Sequence, residues 1–200
     1  MSVNDEQPFE ALLQEVRTCT LCSEHLPNPP RPVLQAHPDA RVLVAGQAPG
    51  RRVHETGLPF NDPSGDRLRD WMGVDRATFY DERHIALVPM GLCYPGTGKG
   101  GDLPPRPECA TAWRERLLEA LPNIELTLLV GSYAIAWHLY PERRPPPVAE
   151  TVAHWRDWWP SLVPMPHPSP RNNRWLRERP WFEAEVIPAV RTRVKKLLEI

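Results

Sequence analysis

Four short apolar runs, each emptying into a loop of glycine, proline or histidine, constrain this chain more than any other feature. They lie at 41–45, 84–89, 125–130 and 162–165, are rich in Val and Leu, and are too short for helices. Elsewhere the apolar residues return at helical spacing. Phe9, Leu12, Leu13 and Val16 predict a first helix. Leu68, Trp71 and Met72 mark a second, closed by Gly73, and Trp113, Leu117, Ala120 and Leu121 a third, ended by Pro122. Another is expected over 132–140, and Phe182, Val186, Val190, Val194 and Leu197 predict a terminal helix kinked at Pro188. Strands alternating with helices give a parallel sheet covered on both faces, so the fold class is α/β with three layers. The chain's 200 residues suffice for one such domain with a real core, and a single domain over 1–200 is expected.

Open parallel sheets bind ligands beyond the carboxyl ends of their strands. Three loops emerge from those ends, at 46–65, 89–107 and 166–174, and they concentrate Gly, Pro, His, Asn and Arg. That coincidence localises a site. The proline runs at 27–32, 104–107, 141–147 and 164–170 lie between apolar segments and read as stiff connections.

The four cysteines are Cys19, Cys22, Cys93 and Cys109: a C-x2-C pair, a long gap, then two more around a Pro/Gly-rich loop. Four thiolates suit tetrahedral zinc or an iron–sulfur cluster, and spacing alone does not separate the two. Structural disulfides fit less well. Met1 is followed by Ser, Asn, Asp, Glu and Gln without a secretory apolar stretch, and adjacent C-x2-C thiols favour metal or redox chemistry. A cytoplasmic protein is expected, with no membrane association and no obligate protein partner. A net charge of -1 excludes a global basic field, yet Arg51-Arg52, 171–179 and 191–196 cluster positive charge that can grip phosphate. Solvated helix faces explain the last cluster equally well.

The first loop opens with Gly46-Gln-Ala-Pro-Gly50, where glycines after a strand let backbone N–H groups approach a ligand. Neither the dinucleotide fingerprint nor the P-loop pattern is present. Phe60, after Gly57-Leu-Pro, is a core residue or a stacking platform for a planar base. Asp62 and Asp66 read as caps of the following helix. The third loop, His167-Pro-Ser-Pro170-Arg171-Asn-Asn-Arg-Trp175, pairs a histidine with a proline-stiffened turn suited to pressing into a nucleic-acid groove.

Together these elements resemble the uracil-DNA glycosylase superfamily, most closely the group-4 type that carries a [4Fe–4S] cluster. The resemblance runs from about Cys19 to Trp175 with the motifs in the right order. It implies a four-stranded parallel sheet between helices, DNA as partner, and a cluster on Cys19, Cys22, Cys93 and Cys109 in place of zinc. It implies that Gly46, Gln47, Ala48, Pro49 and Gly50 line the scissile glycosidic bond and that Phe60 stacks on the extruded base. His167 would then hydrogen-bond the base carbonyl as negative charge develops, while Ser169, Pro170 and Arg171 enter the minor groove. Two positions depart from the group-4 pattern. Gln47 replaces a Glu and can only orient water, so His54 or Glu55 is the candidate replacement; a solvated pair is the plainer reading of those two. The stretch Leu87-Val-Pro-Met-Gly-Leu-Cys93 lacks the Asn that would read uracil. The expected function is excision of a uracil or another deaminated or alkylated base by a monofunctional glycosylase. The competing expectation is a lesion-binding relative that no longer cuts.

Overall fold

The computed structural model describes residues 3–200. Strands β1 (Val42–Ala45), β2 (Ile85–Leu87), β5 (Leu126–Val130) and β6 (Leu162–Met165) form one sheet in the order β2-β1-β5-β6, and every pairing is parallel. A separate two-stranded antiparallel hairpin, β3 (Thr97–Gly98) and β4 (Gly101–Asp102), projects from the loop after β2. The α-helices are α1 (Val3–Arg17), α2 (Arg51–Thr56), α3 (Pro63–Met72), α4 (Arg76–Phe79), α5 (Pro107–Glu119), α6 (Ser132–Leu139), α7 (Val148–Ala153), α8 (Asn173–Glu178) and α9 (Ile187–Leu198).

Successive strand residues point to opposite faces, so both faces of a buried sheet must be apolar. Val42 and Val44 face a core shared with Leu68, Trp71 and Met72 of α3 and Val190, Val194 and Leu197 of α9. Leu43 between them faces Leu12, Leu13 and Val16 of α1 and Trp113 and Leu117 of α5. This is the three-layer α/β arrangement the alternating pattern predicts. The terminal helix differs in detail. Phe182–Val186 forms a π-helical segment that runs into α9, with Pro188 in that helix's first turn, where a missing N–H costs nothing. The irregularity therefore precedes the proline instead of being a kink at it.

The connections after β1 and β5 leave in opposite directions across the sheet, so the crevice at the strands' carboxyl ends opens beside these two central strands. Helices α3 and α4 are started by Asp62 and Asp75, whose side chains accept from Gly65 N and Thr78 N. Asp66 does not cap; it sits in the first turn of α3 and pairs with Arg69.

Candidate active site

Beyond the carboxyl ends of β1, β2 and β6 lies a half-open cavity of about 440 Å³. Its lining includes Gly46, Gln47, Ala48, Pro49, Gly50, Phe60, His167, Ser169 and Arg171, so the motif loop, the aromatic residue and the histidine turn named from the sequence meet there, without Pro170. His54 does not line it. In the short helix α2 the cavity-facing residue is Val53, and one helical step turns His54 away toward Tyr94, ring centroids 5.9 Å apart. His54 Nδ1 is buried without a hydrogen-bond partner, and Glu55 pairs with Arg51. The two candidates for the missing carboxylate thus lie outside the cavity.

The motif loop is pinned by its neighbour: Met90 N–H donates to Gly46 O (2.8 Å) and Gly91 N–H to Gln47 O (2.9 Å). Leu87, Pro89 and Val33 make the neighbouring cavity wall apolar. Gln47 Nε2 donates to Leu103 O (3.1 Å), tying the loop to the hairpin. Gly91 itself is wedged between loops, since a β-carbon there would lie 2.8 Å from Pro105 Cβ and 3.5 Å from Ala48 Cβ.

Phe60 adopts φ +52°, a left-handed conformation uncommon for an aromatic residue. The strain is held by packing. Gly65 lies against the Phe60 carbonyl so closely that a β-carbon would fall 1.8 Å from its oxygen, and Tyr80 Oη donates to Pro59 O (2.8 Å). The ring reaches over Gly46, where a β-carbon would sit 3.2 Å from Cζ. The first motif glycine thus makes room for the platform.

His167 follows β6, and Gly131 at the end of β5 leaves space beside it. Its Nδ1 accepts from Ser169 N–H (3.2 Å), which puts the proton of the neutral ring on Nε2. Burial lowers its pKa below the ordinary histidine value, against the opposing pull of Asp62 and Asp102. The turn is buttressed from both sides. Asn172 Nδ2 donates to His167 O (2.7 Å), and the Arg67 guanidinium donates to Pro168 O, Ser169 O and Asn173 Oδ1. Arg171 packs on Gly101 and donates to Gly100 O (2.9 Å).

The sequence reading missed Asp102 and Asn172 as cavity residues and treated Asp62 only as a cap, although all three line the cavity. For Asp102 the signal was the glycine-dense run Gly96-Thr-Gly-Lys-Gly-Gly-Asp102, which spells a tight hairpin.

The four cysteines, all free thiols, line one smaller cavity together with Leu21, Leu26, Pro30, Pro32, Gly91, Leu92, Arg106 and Trp113. Cys19 follows α1, Cys22 precedes a turn of 3-10 helix, Cys93 follows β2, and Cys109 opens α5. Burial and mutual repulsion push Cys93 up to about 11 and Cys109 to about 12; Cys22 is raised too, first by burial. A cationic centre would reverse that penalty and take all four as thiolates. Two sulfurs already accept N–H donors, Cys19 from Trp113 Nε1 (3.2 Å) and Cys109 from Leu92 N (3.3 Å). Among the described residues no group of three or more His, Cys, Asp or Glu is arranged to hold a metal ion as it stands. No helix among them is long and apolar enough to cross a membrane.

With this geometry, the comparison with known proteins is decisive at the level of the family. The sequence model of the uracil DNA glycosylase superfamily matches residues 34–191. The chain belongs to that superfamily. It is also 24% identical over 169 residues to the type-4 uracil-DNA glycosylase of Thermotoga maritima, covering 82% of this chain and 83% of that protein. The matched family region contains both motif loops and the last two cysteines; Cys19 and Cys22 precede it.

Proposed function

We propose that this superfamily member is a monofunctional DNA glycosylase that hydrolyses the N-glycosidic bond of a damaged base flipped out of DNA. The observation that carries the reading is a neutral His167, held as its Nε2–H tautomer by Ser169, on the rim of the cavity that Phe60 and the Gly46-Gln-Ala-Pro-Gly50 loop enclose. A flipped base slides over the Phe60 ring, which offers its face to any planar heterocycle. As the glycosidic bond stretches, charge collects on the base, and the Nε2–H of His167 meets it where it appears. Ser169, Pro170 and Arg171 form the stiff turn that presses into the minor groove, and Arg67 keeps that turn from yielding. None of the cavity residues is a lysine, which supports hydrolysis without a Schiff-base lyase step.

The apolar wall of Val33, Leu87 and Pro89 supports a pocket that discriminates weakly by hydrogen bonding, so the substrates include uracil and other deaminated or alkylated bases. Cys19, Cys22, Cys93 and Cys109 would hold a [4Fe–4S] cluster. One zinc ion with Zn–S bonds of about 2.3 Å would draw the sulfurs to roughly 3.8 Å of one another, a compact shell; the larger cluster accepts a wider ring. When bound, it supplies iron–thiolate bonds that join α1, the loop after β2 and α5. Four free thiols support the intracellular compartment expected from the sequence.

The decisive experiment incubates the purified protein with duplex and single-stranded oligonucleotides carrying one uracil, hypoxanthine, xanthine or alkylated base. Alkali-labile product at a lesion, lost in His167→Ala, is expected. Gln47, which cannot take a proton, favours the second reading of a lesion binder. Tight, salt-sensitive binding without abasic product on any substrate would select it.

A further inference from the structure

Hydrolysis of a glycosidic bond needs an acceptor for the proton of the attacking water, and the motif loop supplies none. Gly46, Gln47, Ala48, Pro49 and Gly50 carry no titratable side chain. His167 accepts from Ser169 N–H through Nδ1 and keeps its proton on Nε2, so neither nitrogen is open to a second proton without breaking that bond. Two carboxylates line the cavity, Asp62 and Asp102. Asp62 stands beside the Phe60 platform, and its Oδ1 is committed to Gly65 N–H as the cap of α3 (2.9 Å). Asp102 comes from the β3–β4 hairpin. Its Oδ1 accepts from Thr97 Oγ1 (3.1 Å) across the hairpin, and Thr97 Oγ1 is held in turn by Tyr94 Oη (2.6 Å). Its Oδ2 lies directly over the motif loop, 3.4 Å from where a β-carbon on Gly50 would be.

The hairpin is fixed at that height from two sides. Gln47 Nε2 holds Leu103 O, and Arg171 Nη1 holds Gly100 O. The side chain that replaces a carboxylate in the motif loop is therefore the one that anchors the residue next to another carboxylate.

We propose that Asp102 is the general base of the reaction, delivered by the β3–β4 hairpin onto the motif loop in place of an acid at position 47. This rests on the glycosylase reading above. In the step, the water oxygen bonds to C1′ of the sugar while the C1′–N bond breaks and its electron pair leaves with the base. The base's charge is met by His167 Nε2–H, and the water's proton passes to Asp102 Oδ2, from which solvent later removes it. Gln47 is a positioning residue in this scheme, acting through the hairpin.

The test measures single-turnover excision, on the duplex that the wild type cuts fastest, for Asp102→Asn, Asp102→Glu, Asp62→Asn and Thr97→Val, with binding to the same duplex and the circular dichroism spectrum recorded alongside. Asp102→Asn keeps the Thr97 hydrogen bond and is expected to slow excision about 10²–10⁴-fold with unchanged DNA affinity. Asp102→Glu should recover part of that loss, and Thr97→Val should lose about tenfold by loosening the carboxylate. Excision by Asp102→Asn within about threefold of wild type, or a greater loss in Asp62→Asn, would overturn the assignment while leaving the glycosylase reading intact. Should Asp102→Asn misfold, full activity in a folded Thr97→Val would overturn it instead. A wild type that yields no abasic product on any lesion removes the glycosylase reading and the role of Asp102 with it.

Discussion

Two cavities sit at the same end of this sheet, and they are built on opposite principles. The sulfur cavity draws its four thiols from three separate stretches of chain and surrounds them with Leu21, Leu26, Leu92, Trp113 and prolines. The base cavity opens to solvent and carries Gln47, Asp62, Asp102, His167, Ser169, Arg171 and Asn172. In the first, burial raises the pKa values of Cys93 and Cys109 and favours their neutral thiols. In the second, the same force works on a histidine and lowers its pKa, leaving a neutral donor without help from any metal. Desolvation therefore holds one set of groups as neutral thiols and the other as a neutral imidazole ready to donate.

The sharpest way to separate the two roles is to remove a sulfur. Cys109→Ser should abolish iron binding and cost more than about 4 kcal/mol of stability, read as a fall in melting temperature on the order of 10 °C. A loss of excision with unchanged stability and iron content would erase the distinction. His167→Ala should do the reverse: excision falls about 10²–10³-fold, roughly 3 kcal/mol in the barrier, while iron content and melting temperature stay near wild type. Gly65→Ala forces a β-carbon into the Phe60 carbonyl, so a cost of about 2 kcal/mol together with weakened substrate binding is expected. Phe60→Ala removes the platform alone and should raise KM by about tenfold, about 1.4 kcal/mol of stacking, with a smaller effect on folding.

Acid tests the comparison most gently. The folded-state pKa of His167 is depressed by burial, and that of His138 is depressed to about 3 by burial and then by the Arg114 charge. The unfolded chain therefore takes up protons first. Stability that is complete above about pH 6.5 declines as pH falls toward 3, and the His138 share should vanish in His138→Gln. Excision should fall as His167 takes up its proton on the acid side of the ordinary histidine range, because a protonated Nδ1 can no longer accept from Ser169 N–H. Denaturation curves and rate profiles over this range check both statements.

Much of the architecture was legible because period and burial coincide. Val42, Leu43 and Val44 form an uninterrupted apolar run only because helices cover both faces of the sheet. Phe60, His167 and the motif glycines were legible because proline and glycine mark the loops that leave the strands. His54 was misplaced because α2, the charged run Arg51-Arg-Val-His-Glu-Thr56, has one apolar residue and no period from which to read its orientation. Asp102 escaped for a similar reason. A ladder of two residues per strand leaves no alternation to detect, and its reach over Gly50 depends on hydrogen bonds from Gln47 and Arg171, far away in sequence. In place of the expected kink at Pro188, a π-helical turn ends at Val186 and the proline sits in the first turn of α9.

Gly91 borders the sulfur cavity and, through its N–H on Gln47 O, also holds the loop that faces the base. The two compartments also meet where Val33 N–H, from the larger cavity, donates to Leu92 O of the sulfur cavity (2.7 Å). Any slackening of the chain around Cys93 is thereby transmitted over one or two peptide bonds to the motif loop. Were the four thiols to hold the proposed cluster, its loss would loosen the motif loop before the sheet beneath had begun to come apart.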